Sequence, residues 1–362
     1  MNEEEIERRL RAAFAARADG AVSEDGPLPA PRFADVTSPG VRRHRARWLA
    51  PLAAAAAVLV VVGGVLAFDR DTGAGHRTVA GGHSVGGRTG TGPASATPTA
   101  ATVKPVHIRL YNADGAQYGV GMPVVAIFSR KITDARPFVR ATTVTVNGKA
   151  VPAAWYFENS AAGLGAMEAH LRPATYWPAN AKIHVSLKTA GLVAGRHLRF
   201  DDALTLDFTT GARTVAIVDD RSHYLTVERD GTPIRRMRVS LGAAKTPTLS
   251  GVKVIMAKKA KVRFKGPGYD QVLAHALRLT YSGEYLVGDP AGAPAIQKGI
   301  DTSNGCTELL SKDAAQLYDL LQVGDPVEYR NATTPPVPAW DGFGDWNVPW
   351  ASWLKGGLLP TS

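Results

Sequence analysis

Short apolar segments separated by turn residues fill most of the chain from residue 106 to residue 330. Segments of this kind, rich in Val, Ile, Leu and Thr and bounded by Gly, Pro or Asn, are typical of β-strands. A first group comprises residues 106–110, 124–128, 143–146, 182–187 and 204–208, and a second group comprises 214–218, 224–228, 237–240, 252–256, 277–280, 285–287 and 327–329. The regular spacing predicts a mainly β fold with two β domains in series, 106–211 and 212–331, the first of them a β-sandwich.

Residues 311–321 predict a helix inside the second domain, because residues 311–314 (SKDA) have the composition of a capped helix start. Residues 332–362 form a separate C-terminal piece that contains Trp340, Trp346, Trp350 and Trp353. Indoles are seldom left in water, so this piece is expected to pack on one of the β domains. Three further aromatic residues are predicted to lie in the core or between domains, with a carbohydrate-binding platform as the alternative: Trp155, Tyr176 and Trp177.

Residues 48–68 form an uncharged apolar run long enough for a helix to cross a bilayer. Four arginines precede this run within residues 42–47, so the positive-inside rule places the N-terminus in the cytoplasm and the rest of the chain outside. We therefore expect a single-pass membrane protein with a cytoplasmic segment at 1–47. The alternative is a cleaved signal peptide, although the preceding polar segment is long for one. Residues 69–105 are rich in Gly, Thr, Ser and Ala and predict a flexible linker.

The chain has a formal net charge of +10, which suits an anionic polymer or membrane surface. The charges are scattered and no nucleic-acid motif accompanies them, so nucleic acid is not an expected partner. A basic run at 258–265 predicts a solvated hairpin. Four histidines lack metal-ligand spacing and are interpreted as surface residues: His107, His170, His184 and His197. No metal or other cofactor is expected.

Cys306 is the only cysteine of the 362 residues. A lone thiol is either a small buried apolar residue or a reactive group. It ends the polar turn Ser303-Asn304-Gly305-Cys306, and N–H groups at such a turn can bind an oxyanion. The local sequence therefore favours a nucleophile and leaves the buried alternative open.

Several motifs in order make the chain resemble the L,D-transpeptidases of the bacterial cell wall, in the actinobacterial and mycobacterial form. That form joins an immunoglobulin-like β-sandwich to a YkuD-type β-sandwich catalytic domain. The first-domain motifs are GVGMP at 119–123 and RPATYWP at 172–178. The later motifs are VSLG at 239–242, TP at 246–247, SG at 250–251, YSG at 281–283, TSNGC at 302–306 and GFGDWNVPW at 342–350.

The resemblance implies an enzyme that acts on peptidoglycan stem peptides. Its cysteine forms a thioester, expels D-alanine and passes the acyl group to an amine of a neighbouring stem, and carbapenems acylate the same thiol. By position, Cys306 is the nucleophile, and the backbone N–H groups of Gly305 and Cys306 are the candidate oxyanion donors. Substrate contacts are expected from Ser303, Tyr285 and Glu308.

Two departures from the family pattern concern the general base. Asn304 stands where the family has a histidine, and the upstream histidine position falls near Val287-Gly288. Asn304 can orient a group but cannot accept a proton. His275 is the one nearby histidine in sequence and is a weak candidate for the base, with a sheet-surface position as the alternative. Asp289 and Asp301 lie in flanking loops and would help only as proton acceptors. Two functions follow: an L,D-transpeptidase with an altered base, or a catalytically degenerate protein that binds the cell wall.

Overall fold

The computed structural model describes residues 102–266 and 269–362, which belong to one compact unit. The predicted cytoplasmic segment, the predicted membrane span and nearly all of the predicted linker lie outside these residues. Within them, no helix is long and apolar enough to cross a membrane. The first strand begins at Lys104, so the first domain starts two residues earlier than predicted.

The first domain is a β-sandwich with one short helix, α1 (Arg136–Arg140). Its strands are β1 (Lys104–Val106), β2 (Ile108–Leu110), β3 (Gln117–Tyr118), β4 (Val124–Phe128), β5 (Thr142–Val146), β6 (Lys149–Ala150), β7 (Ala154–Glu158), β8 (Met167–Arg172), β9 (Lys182–Leu187), β10 (Val193–Gly195), β11 (Leu198–Phe200) and β12 (Leu204–Thr210). The two main sheets have the orders β2-β4-β8-β7 and β3-β12-β9-β5-β6, and a small sheet, β1-β11-β10, lies beside them.

Alternation of apolar and polar residues places the core of the sandwich. In β9, Ile183, Val185 and Leu187 are buried, whereas the residues between them face outward. Side chains from both main sheets share one apolar cluster, in which Trp155 and Phe138 pack with ring centroids 4.9 Å apart. The prediction that Trp155 and Trp177 are core residues is confirmed, because both are almost fully buried.

The second domain is built on a nine-stranded mixed sheet of order β16-β21-β13-β14-β15-β20-β19-β18-β17. Its strands are β13 (Thr214–Asp219), β14 (Tyr224–Arg229), β15 (Thr232–Ser240), β16 (Gly251–Val254), β17 (Ala257–Gly266), β18 (Tyr269–Arg278), β19 (Tyr285–Gly288), β20 (Thr307–Leu309) and β21 (Pro326–Arg330). Two helices lie between strands, α2 (Ala293–Lys298) and α3 (Ser311–Leu320).

Helix α3 confirms the predicted helix but not its capped start. The residue before the helix is Leu310, and no side chain caps the first turn. The basic run forms the predicted hairpin, β17 with β18. One lysine of this hairpin contacts the C-terminal end of α3: Lys258 Nζ donates to the carbonyl of Leu321 at 2.6 Å. A cation at the end of a helix satisfies carbonyls that have no partner within the helix.

Two glycines of the first domain, Gly119 and Gly121, form backbone hydrogen bonds with the second domain. The N–H of Gly119 donates to the carbonyl of Val323 at 2.8 Å, and the N–H of Gly121 donates to the carbonyl of Gly324 at 2.9 Å. A Cβ on Gly119 would lie 2.2 Å from the backbone nitrogen of Asp325, so only glycine fits there. The GVGMP motif is therefore a docking segment between domains.

The C-terminal piece packs back as predicted. It contains a short 3-10 helix at Gly344–Asn347 and helix α4 at Trp350–Trp353. Trp346 Nε1 donates to the carbonyl of Gly121, and Trp353 Nε1 donates to the carbonyl of Ala154, each at 2.8 Å. Tyr176 lies between the domains, where its ring contacts Trp346 and its hydroxyl donates to Glu328 at 3.3 Å.

The interpretation of His170 as a surface residue is wrong. His170 lies on β8, and the side chain is fully buried. The reason is tertiary, because the C-terminal piece covers the outer face of this strand: the Arg172 guanidinium lies over the rings of Trp346 and Trp353 and donates to the carbonyl of Val348.

Candidate active site

The cysteine turn lies at the centre of the second domain's sheet, directly before β20. Ser303 closes the turn with two hydrogen bonds: its Oγ accepts from the N–H of Gly305 at 3.0 Å and donates to the carbonyl of Cys306 at 2.6 Å. Gly305 has φ +108°, a conformation that favours glycine. Ser303 lines the cleft as predicted for a substrate contact, but its hydroxyl is engaged in holding the cysteine.

The Gly305 N–H, a predicted oxyanion donor, is engaged within the turn. It donates to Ser303 Oγ, so it would have to give up this hydrogen bond to serve an oxyanion. The carbonyl of Gly305 is engaged as well, because it accepts from Thr248 Oγ1 at 3.0 Å.

The motifs that resemble the family converge on this turn. The N–H of Ser303 donates to the carbonyl of Leu241, and the carbonyl of Ser303 accepts from Thr246 Oγ1 at 3.0 Å. Gly242 lies so close that a Cβ there would be 2.1 Å from the carbonyl oxygen of Thr246. The VSLG and TP segments therefore hold the backbone on which Cys306 is presented.

A cleft of about 460 Å³ opens in front of Cys306, a volume typical of small-ligand sites. The thiol is half-buried at its inner wall, and Sγ donates weakly to the carbonyl of Gly283 at 3.8 Å. The residues that line the cleft come from the β17–β18 hairpin (Phe264, Tyr269, Gln271 and Leu273), from the segment after β19 (Asp289, Ala291, Gly292, Pro294 and Ala295) and from the cysteine segment (Thr302, Ser303, Asn304 and Glu308).

Two carboxyl groups lie in the cleft on the same face of the sheet as the thiol. Glu308 follows Cys306 by two residues along β20, and Asp289 comes directly after β19, the neighbouring strand. Only 7% of Glu308 is exposed. Burial, and to a smaller extent the charge of Asp289, raise the pKa of Glu308 to about 7. Glu308 therefore changes its charge near neutral pH, which makes it able to accept and return protons.

Tyr269, at the start of β18, is a cleft residue that the sequence did not reveal. Burial and the charge of Cys306 raise the pKa of its hydroxyl, and Tyr269 and Cys306 pack against the same small apolar cluster. The only sequence signal is its position just after the Gly-Pro-Gly turn at 266–268.

Two other predicted site residues lie outside the cleft. His275 adopts a left-handed conformation at an irregularity of β18, and its ring contacts Tyr318 of α3 with centroids 5.7 Å apart. It is not among the residues that line the cleft, so its proposed role as the base is not supported. Tyr285, a predicted substrate contact, is buried, packs edge-to-face on Phe264 and is not among the residues that line the cleft.

Asn304 is exposed and lines the cleft, as expected for the position next to the Gly-Cys pair. Among the described residues that line the cleft, none is a histidine. A histidine does support the loop before the cysteine: His223 Nε2 lies 3.1 Å from Asp301 Oδ1, which also accepts from the N–H of Leu241. Asp301 is therefore a structural residue.

Comparison with known proteins assigns both domains. Residues 213–328 match a family model described as the L,D-transpeptidase catalytic domain (YkuD), and residues 78–193 match one described as a bacterial Ig domain. L,D-transpeptidase 2 of Mycobacterium tuberculosis (strain CDC 1551 / Oshkosh) is 29% identical over 278 residues, which are 73% of this chain and 66% of the relative. L,D-transpeptidase 5 of Mycobacterium tuberculosis (strain ATCC 25618 / H37Rv) is 30% identical over 269 residues, 72% of this chain and 58% of the relative.

The chain thus spans 66% and 58% of the length of these two relatives, less than two thirds of each. Among solved structures, an LD transpeptidase in complex with imipenem aligns with a TM-score of 0.51 and 27% identity. The alignment covers 61% of this chain and 97% of the solved one.

Proposed function

Because the chain belongs to the L,D-transpeptidase family, with a YkuD catalytic domain behind an Ig-like domain, we propose that it transfers acyl groups between peptidoglycan stem peptides through a thioester on Cys306. The observation that carries this proposal is the half-buried thiol at the wall of the cleft, on a turn held by the VSLG and TP segments. In the first step the sulfur bonds to the acyl carbon, the bond from that carbon to the D-alanine nitrogen breaks, and the leaving amine takes a proton. In the second step an acceptor amine replaces the sulfur.

Glu308 takes over the proton transfers that histidine performs in the family. With a pKa of about 7, both forms of this carboxyl are populated near neutral pH. The ionised form accepts the proton of the thiol, and the protonated form then donates this proton to the leaving amine. Same-face positions two residues apart on a strand are separated by roughly 7 Å, so the proton passes through one intervening water.

The carboxyl pair also suits the second step. The acceptor is a side-chain amine, which carries a positive charge until it loses a proton. Asp289 and Glu308 form an acidic end of the cleft that attracts this cation and accepts its proton. The same charges disfavour a standing thiolate on Cys306, so ionisation of the thiol is coupled to the attack.

The hydroxyl of Tyr269 is the proposed donor to the tetrahedral oxyanion. Like Cys306, Tyr269 lines the cleft and packs against the same small apolar cluster, and its raised pKa keeps the hydroxyl protonated at neutral pH. This role replaces the one predicted for Gly305, whose N–H is used within the turn.

The enzyme is proposed to act outside the cytoplasmic membrane. This assignment rests on the apolar run at 48–68 with arginines before it, and on the location of peptidoglycan outside the membrane. The Gly- and Thr-rich segment at 69–105 would then separate the folded domains from the anchor.

Acylation by a carbapenem tests the proposal. The full chain is incubated with imipenem and its intact mass is measured over time, beside Cys306→Ala and Tyr269→Phe. We expect one adduct on the unmodified chain, none on Cys306→Ala, and about 10²-fold slower formation on Tyr269→Phe because one oxyanion donor is lost. A folded chain that forms no adduct after long incubation would overturn the proposal.

A second candidate function is a catalytically degenerate protein that binds the cell wall. It is favoured by one observation, the absence of histidine from the described part of the cleft. On this hypothesis the full chain binds isolated peptidoglycan as tightly as Cys306→Ala does, and neither protein releases D-alanine from tetrapeptide stems.

A further inference from the structure

A second cluster of chemically active side chains lies in the first domain and contributes nothing to the cysteine cleft. Glu158 ends β7, and Glu168 and His170 lie on β8. His170 Nε2 is 3.4 Å from Glu158 Oε1 and 3.5 Å from Glu168 Oε2. All three side chains are buried, and one ligand atom from each lies within 4.8 Å of the other two.

The strand register places two carboxyl groups of this cluster close together. Glu158 and Glu168 are directly opposite each other in the antiparallel pair of β7 and β8. Like charges at such positions destabilise a sheet, and burial enlarges the effect because water does not screen them. A positive charge between the two carboxylates removes the repulsion.

A ring nitrogen of His170 faces the carboxyl groups of Glu158 and Glu168. Its Nδ1 lies 2.8 Å from Asp345 Oδ1, and in the tautomer whose Nδ1–H donates to that carboxylate the Nε2 lone pair faces the two glutamates. His170 Nε2 is fully buried and has no hydrogen-bond partner. A carboxylate behind one ring nitrogen, with the other nitrogen turned to anionic oxygens, is the arrangement found around metal-bound histidines.

The distances agree with a small ion such as Zn²⁺ held by these three ligand atoms. Zn²⁺ binds nitrogen and oxygen ligands at about 2.0–2.2 Å, so neighbouring ligand atoms of a tetrahedral site are roughly 3.3–3.6 Å apart. The two distances from His170 Nε2 fall in this range. Ser160 Oγ donates to Glu168 Oε1, which leaves Oε2 of the same carboxylate for the ion.

We propose that Glu158, Glu168 and His170 bind one divalent transition-metal ion, with Zn²⁺ the best match in ligand type and spacing. An imidazole with only two carboxylates suits Zn²⁺ better than Ca²⁺ or Mg²⁺, which take six or more oxygens or retain several waters. The site is closed to solvent, so its role is structural. It joins the two strands to Asp345 in the C-terminal piece, where Arg172 also donates to the Asp345 carbonyl at 3.1 Å.

Metal content and thermal stability test this site. The purified full chain is stripped with a chelator, dialysed against equimolar Zn²⁺ and then against buffer, and its bound metal and Tm are measured. The same is done for Glu158→Gln, which keeps the shape of the side chain but removes a charged ligand. His184→Gln is the matched control, since His184 forms an exposed pair with Asp207 at 2.8 Å in the same domain.

We expect one equivalent of Zn²⁺ on the unmodified chain and on His184→Gln, with a Tm several degrees above the stripped form and rising with Zn²⁺ concentration. Glu158→Gln should bind no Zn²⁺ and should show no increase in Tm when Zn²⁺ is added. Co²⁺ should give the intense visible absorption of a tetrahedral site in the same two proteins only. Absence of retained Zn²⁺ with an unchanged Tm, or equal binding by Glu158→Gln, would overturn the proposal in favour of a protonated His170 held by carboxylates alone.

Discussion

At the scale of single residues, burial alters the chemistry of the carboxyl two residues after the candidate nucleophile Cys306. An exposed glutamate is an anion at neutral pH, but Glu308 is shielded in the cleft wall beside Asp289, and its pKa rises to about 7. Glu308 lies two residues after Cys306, and its side chain can accept a proton, which those of Val287 and Asn304 cannot.

Glu308→Gln tests this role by its pH dependence. In the unmodified chain the rate of acylation by imipenem should rise through an inflection near pH 7, because the ionised carboxyl is the base. Glu308→Gln should lose this inflection and react about 10²-fold more slowly at pH 8. Asp319→Asn, which changes an exposed carboxyl of α3, is the control and should keep the original profile. An inflection near pH 7 that persists in Glu308→Gln would contradict the assignment.

Glu308→Gln, which should lower the rate of acylation, should raise the stability of the fold at pH 8. The folded-state pKa of Glu308 lies above its unfolded value, so the unfolded chain loses this proton first as the pH rises. Glu308 therefore lowers the stability of the fold progressively between about pH 4.5 and pH 7. Glu308→Gln should melt at a higher temperature than the unmodified chain at pH 8 and at nearly the same temperature at pH 4.

At the scale of secondary-structure elements, a buried ion pair connects β16 to the turn before β19. Lys253 Nζ donates to Glu284 Oε2, both side chains are buried, and Glu284 Oε1 accepts from the N–H of Leu249. The ammonium also lies over the ring of Tyr329, 3.8 Å from its centroid. Glu284 directly follows Gly283, whose carbonyl accepts from the thiol, so the pair supports the floor of the cleft.

Lys253→Met should therefore be strongly destabilising, because it leaves the Glu284 carboxylate buried without its cation. We expect a loss of about 3–5 kcal/mol in the free energy of unfolding, measured by denaturant titration. The double variant Lys253→Met with Glu284→Gln should recover much of this loss, since the neutral amide can still accept from the N–H of Leu249. Equal losses in the single and double variants would show that packing of the lysine, and not its charge, is what matters.

At the scale of the whole molecule, three parts of the chain form one body. The Gly119 segment docks the first domain on the loop that precedes β21, and the C-terminal piece covers both domains. Asp341 reinforces this arrangement, because its carboxylate accepts from the N–H and the hydroxyl of Ser282 in the YSG motif. The wall of the cleft near Gly283 is therefore braced by a segment from the far end of the chain.

Gly119→Ala tests the docking. Its Cβ would lie 2.2 Å from the backbone nitrogen of Asp325, which cannot move without separating the domains. We expect a loss of about 2–3 kcal/mol or more in stability, read as a lower Tm and faster proteolysis between the domains. Gly115→Ala is the matched control: it has open space around it and φ +73°, so it should cost only about 1–2 kcal/mol of backbone strain. A loss in Gly119→Ala no larger than in this control would argue against tight docking.

Local sequence determined much of the architecture. Alternation in segments such as Ile183-His184-Val185 is enough to place strands and their inner faces, and the turn at 303–306 is evident from its Ser, Gly and Cys. These features depend on neighbours a few residues apart, and the motifs around them were sufficient to indicate the family. The candidate nucleophile was likewise available from one residue and its turn.

Only the tertiary structure decided what surrounds those elements. Tyr269 and Glu308 line the same cleft although they are 39 positions apart in the sequence. His275 is nearer to Cys306 in sequence than Tyr269 is, but its ring contacts Tyr318 and does not line the cleft. His170 is buried because a segment about 175 residues later covers its strand, an arrangement that no local pattern records. The pKa of a carboxyl and the capacity of a histidine to bind a metal depend on which distant groups exclude water from them, and long-range packing sets that exclusion.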